Sequence, residues 1–246
     1  MLCGSGHVSR ACSSWHLLLD VGSTTTDLIP LNDRGPTTSS RTDWHRLLRG
    51  ELLYLGARRT PLCALLRPLP ARDSVLFPAA EFFADIYDAF LILGLQPERP
   101  DYQLTADGRP ATLPAARQRL ARMLCADACE LEEKDLVGIA QAALAEWQHR
   151  FCKVWQRSIQ RFGRPPRSIV LAGEGEWLAR RCLRHVGYTG SLISLAEQLG
   201  PALSQAACAF AVAWLRAQSL HSQTLTFATI NACPSPTPSL PEARRQ

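Results

Sequence analysis

The chain has no Cys-x-x-Cys pair, no apolar run long enough to cross a bilayer, no internal repeat and no dense basic cluster. Each absence removes a class of reading. Nine cysteines at irregular spacing fit neither a disulfide framework nor a zinc ribbon, and most read as small reduced hydrophobes of a cytosolic core. Cys125 and Cys129 lie one helical turn apart, a spacing compatible with a shared metal, although packing is the commoner use. The best candidate for a membrane span, Ala89–Leu95, is far too short. The first residues, MLCGSGHVSRACSSW, lack the apolar core of a signal peptide. A net charge of +5 is mild, and its arginines are scattered among Arg46, Arg49, Arg58, Arg59, Arg117, Arg119, Arg122, Arg180, Arg181 and Arg184. On helices such residues read as solvated faces, which argues against nucleic-acid binding. A soluble, cytoplasmic protein without nucleic-acid or membrane partners is the expectation.

What is present is enough apolar sequence for a real core: 246 residues, 46% hydrophobic, suffice for one large or two small domains. Residues 1–15 are small and polar and read as an unstructured arm, and the Pro- and Ser-rich residues 218–246 as a tail that does not pack. Between them, residues 16–217 read as strands, then helices, then an alternating β-α-β-α unit. A hairpin over Leu17–Leu31 is followed by an edge strand near Leu52–Tyr54. Phe82, Phe83, Ile86, Phe90 and Leu93 predict a helix over Pro78–Leu93. Pro114–Leu124 predicts another, with Arg117, Arg119 and Arg122 facing away from Leu120 and Leu124. Helical spacing runs unbroken from Glu132 to Phe162, with Trp147 and Trp155 as packing residues, and Gly163-Arg164-Pro165-Pro166 stops it. A buried strand at Ser168–Ala172, a Gly173-Glu174-Gly175 turn, a helix Glu176–His185, a short strand Leu192–Leu195 and a helix Pro201–Leu215 complete the order.

The chemistry concentrates in Asp20-Val21-Gly22-Ser23-Thr24-Thr25-Thr26-Asp27. Gly22 admits backbone angles that let amides converge as an anion nest, and two aspartates at the strand ends flank a row of hydroxyls. That is the inventory for a phosphate and the divalent cation that neutralises it. A polar hairpin turn is the plainer reading, and threonines are good strand residues in any case.

This octapeptide resembles the second phosphate motif of the acetate kinase, sugar kinase, Hsp70 and actin superfamily, in the form found in hydantoinase A and oxoprolinase relatives. Gly50-Glu51-Leu52-Leu53-Tyr54-Leu55-Gly56, Arg59-Thr60-Pro61, Ala80-Glu81-Phe82-Phe83-Ala84 and Thr105-Ala106-Asp107-Gly108-Arg109 narrow the resemblance. Together they are similar to the branch of tetrahydromethanopterin-linked one-carbon-transfer proteins that includes methanofuran-biosynthesis synthases. The resemblance covers about His16 to Leu215. It implies a mixed α/β fold: a partial ribonuclease H-like, actin-like ATPase lobe with an inserted helical region. Asp20, and Asp27 unless it only caps the turn, would hold Mg²⁺ or another divalent cation, and Gly22, Ser23, Thr24, Thr25 and Thr26 would meet phosphate oxygens.

The remaining motifs carry both plain and functional readings. Arg59, followed by Thr60, can grip phosphate bidentately or sit in an exposed basic loop. Glu81 and Asp85, four apart on the expected helix, either face a cleft and orient an amine or metal-bound water, or face solvent. Thr105, Asp107, Gly108 and Arg109 form a turn by local chemistry and a substrate loop by resemblance. Gly173, Glu174 and Gly175 stand where doubly wound folds place ligands, and where the superfamily contacts the nucleoside of ATP. No Gly-Gly pair occurs here, which favours a tight β-α turn and weakens an ATP reading.

The superfamily closes on phosphate between two lobes, and the first lobe's own D-x-G-G hairpin is missing ahead of His16. The expectation is therefore a partial homologue: a fragment, a mis-called start or a remnant, inactive and self-associating alone. Its partner would be a separately encoded N-terminal lobe or a second copy of the chain. In the complete enzyme, a transferase, a phenol would attack an aminomethylfuran diphosphate ester and diphosphate would depart, with charge stabilisation the main contribution. ATP-dependent hydantoinase- or oxoprolinase-like ring opening, and a non-catalytic interaction subunit, are the rivals.

Overall fold

The computed structural model describes residues 15–71 and 74–218. The expected arm and tail lie outside the described residues, apart from Trp15 and Gln218. Trp15 is part of the packed body: its ring stacks on Phe162 at 4.2 Å and its Nε1 donates to the Arg164 carbonyl at 3.0 Å.

Strand β1 (His16–Val21) and strand β2 (Thr26–Asn32) form the expected antiparallel hairpin, with Asp20 opposite Asp27. Leu17, Leu19 and Val21 are fully buried while His16, Leu18 and Asp20 are half-buried, the period-2 alternation of a sheet with one core face. Strand β3 (Gly35–Pro36), helix α1 (Asp43–Arg49) and strand β4 (Leu52–Leu53) follow, β3 and β4 both pairing with β2. Helix α2 (Leu62–Leu65), a small hairpin of β5 (Leu69–Ala71) and β6 (Ser74–Leu76), and helices α3 (Ile86–Ile92), α4 (Leu113–Arg122) and α5 (Glu133–Phe162) make the helical region. The chain then re-enters the sheet as β7 (Ser168–Ala172), α6 (Glu176–His185), β8 (Ser191–Ser194), α7 (Leu195–Leu199) and α8 (Pro201–Gln205). The sheet order is β3-β2-β1-β7-β8, with β1, β7 and β8 mutually parallel. The fold is mixed α/β.

Helix α5 organises the core. It packs against α2, α3, α4 and α6, and buries Ala140, Ala143, Trp147 and Phe151 completely. Trp147 Nε1 reaches across to the Gly56 carbonyl at 3.2 Å, so this ring both fills the core and fixes a loop of the candidate site. Among the described residues no helix is long and apolar enough to cross a membrane.

Three expectations need correction. The predicted helix Pro78–Leu93 is helical only over Ile86–Ile92. Asp85 is its N-cap, accepting from the amides of Tyr87 at 2.9 Å and Asp88 at 3.3 Å, while Asp88 returns a bond from the Asp85 amide. This capping box fixes Asp85 in extended geometry, where it bridges Pro61, so no turn can form ahead of it. Arg119, expected on a solvated face, has no exposed surface at all. Finally, the predicted helix Pro201–Leu215 is not continuous: α8 stops at Gln205, and residues 207–218 form a separate helical stretch belonging to a second compact unit that begins at Ala206. Helix α1 and the β5–β6 hairpin are additions that apolar periodicity did not signal.

Candidate functional site

The β1–β2 turn is closed by the Gly22 amide donating to the Thr25 carbonyl at 2.9 Å. The outward carbonyls of that turn are not left to water. Ala57 N–H donates to Gly22 O at 2.9 Å, and Arg58 and Arg59 N–H both donate to Ser23 O, at 3.1 and 2.8 Å. A Cβ on Gly56 would lie 2.3 Å from the Ser23 and Thr24 backbone, so only glycine allows this approach. A third segment arrives from the end of β7. Gly175 N–H donates to Val21 O at 2.8 Å, and Gly173, at φ +85°, would with any side chain meet Asp20 Oδ1 at 2.3 Å. Three loops thus converge at the C-terminal end of β1 and β7, where open α/β sheets bind ligands.

They border a cleft of about 500 Å³ lined by Asp20, Gly22, Ser23, Arg58, Arg59, Gly173 and Glu174, with Tyr102 and Leu104 from the loop before α4 and Gln205 from α8. Burial, and secondarily the like charge of Asp27, holds the Asp20 carboxyl above the usual aspartate range. A cation beside it would reverse that shift. Asp27 itself is ion-paired to Arg46 and receives the Thr25 hydroxyl at 3.5 Å. Among the described residues, no three His, Cys, Asp or Glu side chains gather into a metal cage. Magnesium needs none, because it commonly takes one or two carboxylates and completes its shell with water and phosphate oxygens. Asp20 fits that use; Asp27, engaged by Arg46, is the weaker candidate.

The other predicted site residues divide. Arg59 is exposed on the cleft wall beside Ser23. Thr26 is fully buried with its hydroxyl on the Leu55 carbonyl at 2.8 Å, and Thr60 is buried with its hydroxyl accepting from Gly56 N–H at 2.9 Å. Both hold the site's loops and neither faces the cleft. Thr24 and Ser23 share a hydroxyl contact at 3.4 Å. Glu81 and Asp85 do not share a helix face: Glu81 is exposed on irregular chain and Asp85 is buried in its capping box. In the Thr105–Arg109 turn, Thr105 donates to the Arg109 carbonyl at 2.6 Å, and Asp107 accepts from Arg109 Nε at 2.7 Å and Arg119 Nη1 at 3.0 Å. Gly108 is the exposed corner of that turn. These side chains are spent on the loop, whose preceding residues, Tyr102 and Leu104, are the ones lining the cleft.

The residue that sequence reasoning passed over is Arg58. Its guanidinium forms an ion pair with Glu174 and lies 5.3 Å from the Tyr87 ring centroid and 4.8 Å from that of Tyr102. The Arg58-Arg59 doublet was the available signal, but nothing local says which arginine turns inward.

A buried charge network joins α3, α4 and the Thr105–Arg109 turn. Arg119 Nε donates to both Asp88 oxygens at 3.0 Å, and its Nη2 meets Oδ1 at 2.6 Å. Burial and the neighbouring Asp88 push the Asp85 carboxyl up to about 8.

No family model matches the chain. Two curated proteins do. The (4-{4-[2-(gamma-L-glutamylamino)ethyl]phenoxymethyl}furan-2-yl)methanamine synthase of Methanococcus vannielii is 31% identical over 222 residues, covering 89% of this chain and 96% of that protein. The chain belongs to this synthase family. The synthase of the same name from Methanocaldococcus jannaschii is 30% identical over 207 residues, 83% of this chain, and the chain spans 60% of its length. The two family members therefore differ in how much of them lies outside the region they share with this chain.

Proposed function

We propose that this chain supplies the diphosphate- and cation-binding lobe of a transferase that joins a furanylmethyl diphosphate to a phenol, releasing diphosphate and the phenol's proton. The lobe is of the ribonuclease H-like, actin-like kind, built on the β1–β2 hairpin and the parallel β7–β8 pair. One observation carries the reading: Asp20, the Gly22–Ser23 turn, Arg58, Arg59 and Glu174 border one cleft, though they come from three separated segments. The products named for the curated relatives have an aryl ether on a furanylmethyl carbon and an aminomethyl group on the ring. An aryl ether at that carbon is what a phenol oxygen forms when it displaces a good leaving group there.

In this scheme the Ser23 hydroxyl and Arg59 orient the diphosphate, Arg59 contributing a fixed fork of donors. Asp20 holds the divalent cation, which when bound neutralises charge on the departing diphosphate. Tyr102 and Leu104 cover the furan and keep water from the electrophilic carbon. Preorganised charge at the leaving group is the main catalytic contribution, because the carbon–oxygen bond breaks toward an anion.

The test is isothermal titration of Mg²⁺-diphosphate into the full chain and into Asp20→Ala. The expected result is an affinity loss of about tenfold or more in the variant with the fold intact. Equal affinity would reduce the hairpin to a structural turn. ADP formation dependent on a hydantoin or 5-oxoproline would decide instead for ATP-driven ring opening.

A further inference from the structure

Two buried polar atoms of partly exposed, cleft-lining side chains have no hydrogen-bond partner: Arg58 Nε and Glu174 Oε1. They belong to one ion pair, which joins Arg58 Nη2 to the other carboxylate oxygen, Oε2. A buried carboxylate oxygen without a donor is costly, and such atoms are rare in folded proteins unless a ligand completes them. The Arg58 guanidinium lies against the Tyr87 and Tyr102 rings, which meet each other at 6.4 Å, and the Tyr87 hydroxyl is tied to the Pro97 carbonyl at 3.0 Å. Glu174 sits between Gly173 and Gly175, both pinned against β1. Glu174 thus holds Arg58 through Oε2 and keeps Oε1 as an acceptor without a donor.

We infer that Glu174 Oε1 is the receptor for a protonated primary amine on the substrate, with the Tyr102 ring beside it bearing the substrate's own ring. The inference rests on the reading that the cleft takes a furanylmethyl diphosphate and names how the far end of that molecule is recognised. At the hairpin Arg59 and the Ser23 hydroxyl offer donors and Asp20 is assigned to the cation, which leaves Glu174, at the β7 turn, as the other acceptor-only group of the cleft. An alkylammonium is the matching ligand, since it is charged at neutral pH and donates up to three hydrogen bonds. A donor that carries charge makes a bond to carboxylate roughly twice as strong as a neutral one, so the site discriminates an amine from an alcohol of the same shape. Arg58 then acts as a positioning residue, holding Glu174 in place.

The probes are furan-2-ylmethanamine and furan-2-ylmethanol, titrated separately into the full chain and into Glu174→Gln, with Mg²⁺-diphosphate titrated in parallel. The intact chain should bind the amine about tenfold or more tightly than the alcohol. Glu174→Gln should bring the ratio to near one without abolishing Mg²⁺-diphosphate binding, which the Arg58 guanidinium it releases would tend to strengthen. A ratio near one in the intact chain overturns the inference, as does its survival in Glu174→Gln or the failure of either furan to bind. Loss of Mg²⁺-diphosphate binding with the amine preference intact would instead overturn the diphosphate reading and leave this one standing. Should Glu174→Gln not fold, carbodiimide coupling of furan-2-ylmethanamine to the intact chain decides. Amide formation mapped by mass spectrometry to Glu174, and suppressed by excess uncoupled substrate-like ammonium, supports the assignment; coupling elsewhere in the cleft but not at Glu174 refutes it.

Discussion

Replacing Arg119 by methionine should be among the most damaging single changes in this chain, and the damage should depend on pH. The methionine fills most of the volume, so the loss is electrostatic. Arg119 and Asp88 are both wholly buried, joined by three donor–acceptor contacts of 2.6–3.0 Å, with a fourth at 3.0 Å to Asp107. Removing one partner of a buried pair strands the other charge, at about 3–5 kcal/mol. For a domain of this size that corresponds to a fall in melting temperature of roughly 6–20 °C. Asp88 can escape by taking up a proton, so the penalty should shrink as pH falls toward the aspartate range and grow above neutrality. Asp88→Asn in the same chain removes the stranded charge and keeps the oxygen that caps the Asp85 amide, so Arg119→Met/Asp88→Asn should recover more than half of the loss. Urea unfolding at pH 5 and pH 8 measures all of this. A penalty below about 1 kcal/mol, or one equal at both pH values, would refute the view that this pair is charged and unsolvated.

Gly173→Ala should destabilise the chain by about 1–3 kcal/mol through its left-handed backbone alone. It should also weaken Mg²⁺-diphosphate binding, because the added methyl would lie 2.3 Å from Asp20 Oδ1; normal affinity by titration would show that Asp20 is not the cation ligand. For Asp85 the sign is set by a folded pKa near 8 against about 4 in the unfolded chain. The native state then binds the extra proton between those values, so stability should fall as pH rises from about 4 to 8, by up to about 1.4 kcal/mol per unit, and level off above. Asp85→Asn keeps the cap and should flatten that slope; an unchanged slope in urea titrations would assign it to another group.

The parts of this fold that could be read ahead of the coordinates are those whose causes lie within a few residues. The hairpin follows from two short apolar runs flanking the turn at Gly22. Helix α5 ends at Phe162 because Gly163, Pro165 and Pro166 cannot continue it, and strand β7 and helix α6 have the bounds their apolar pattern implies. Pro78–Leu93 failed for a local reason that pattern alone obscured. Phe82, Phe83 and Ile86 keep helical spacing, but Asp85 and Asp88 have the three-residue offset of a capping box, and Asp85 is tied to Pro61 by a bridge from another segment. Arg119 reads as solvent-facing because its partners, Asp88 and Asp107, stand 31 and 12 residues away.

The candidate site shows the same division. The hairpin half was legible because Asp20, Gly22 and Ser23 are contiguous. The other half depends on Arg58 meeting Glu174 across 116 residues, and on two tyrosines that hold it, which no spacing rule connects. Glycines are what join the halves: Gly56 lets one loop lie against the Ser23 backbone, and Gly173 lets the other lie against Asp20. At both positions the chain gives up a side chain that would have packed, in exchange for contact between backbones. A hairpin needed only for its turn would not require either approach. The closeness places Glu174 and Arg59 in one cleft with Asp20, the arrangement that the proposed binding of one small molecule at both its ends requires.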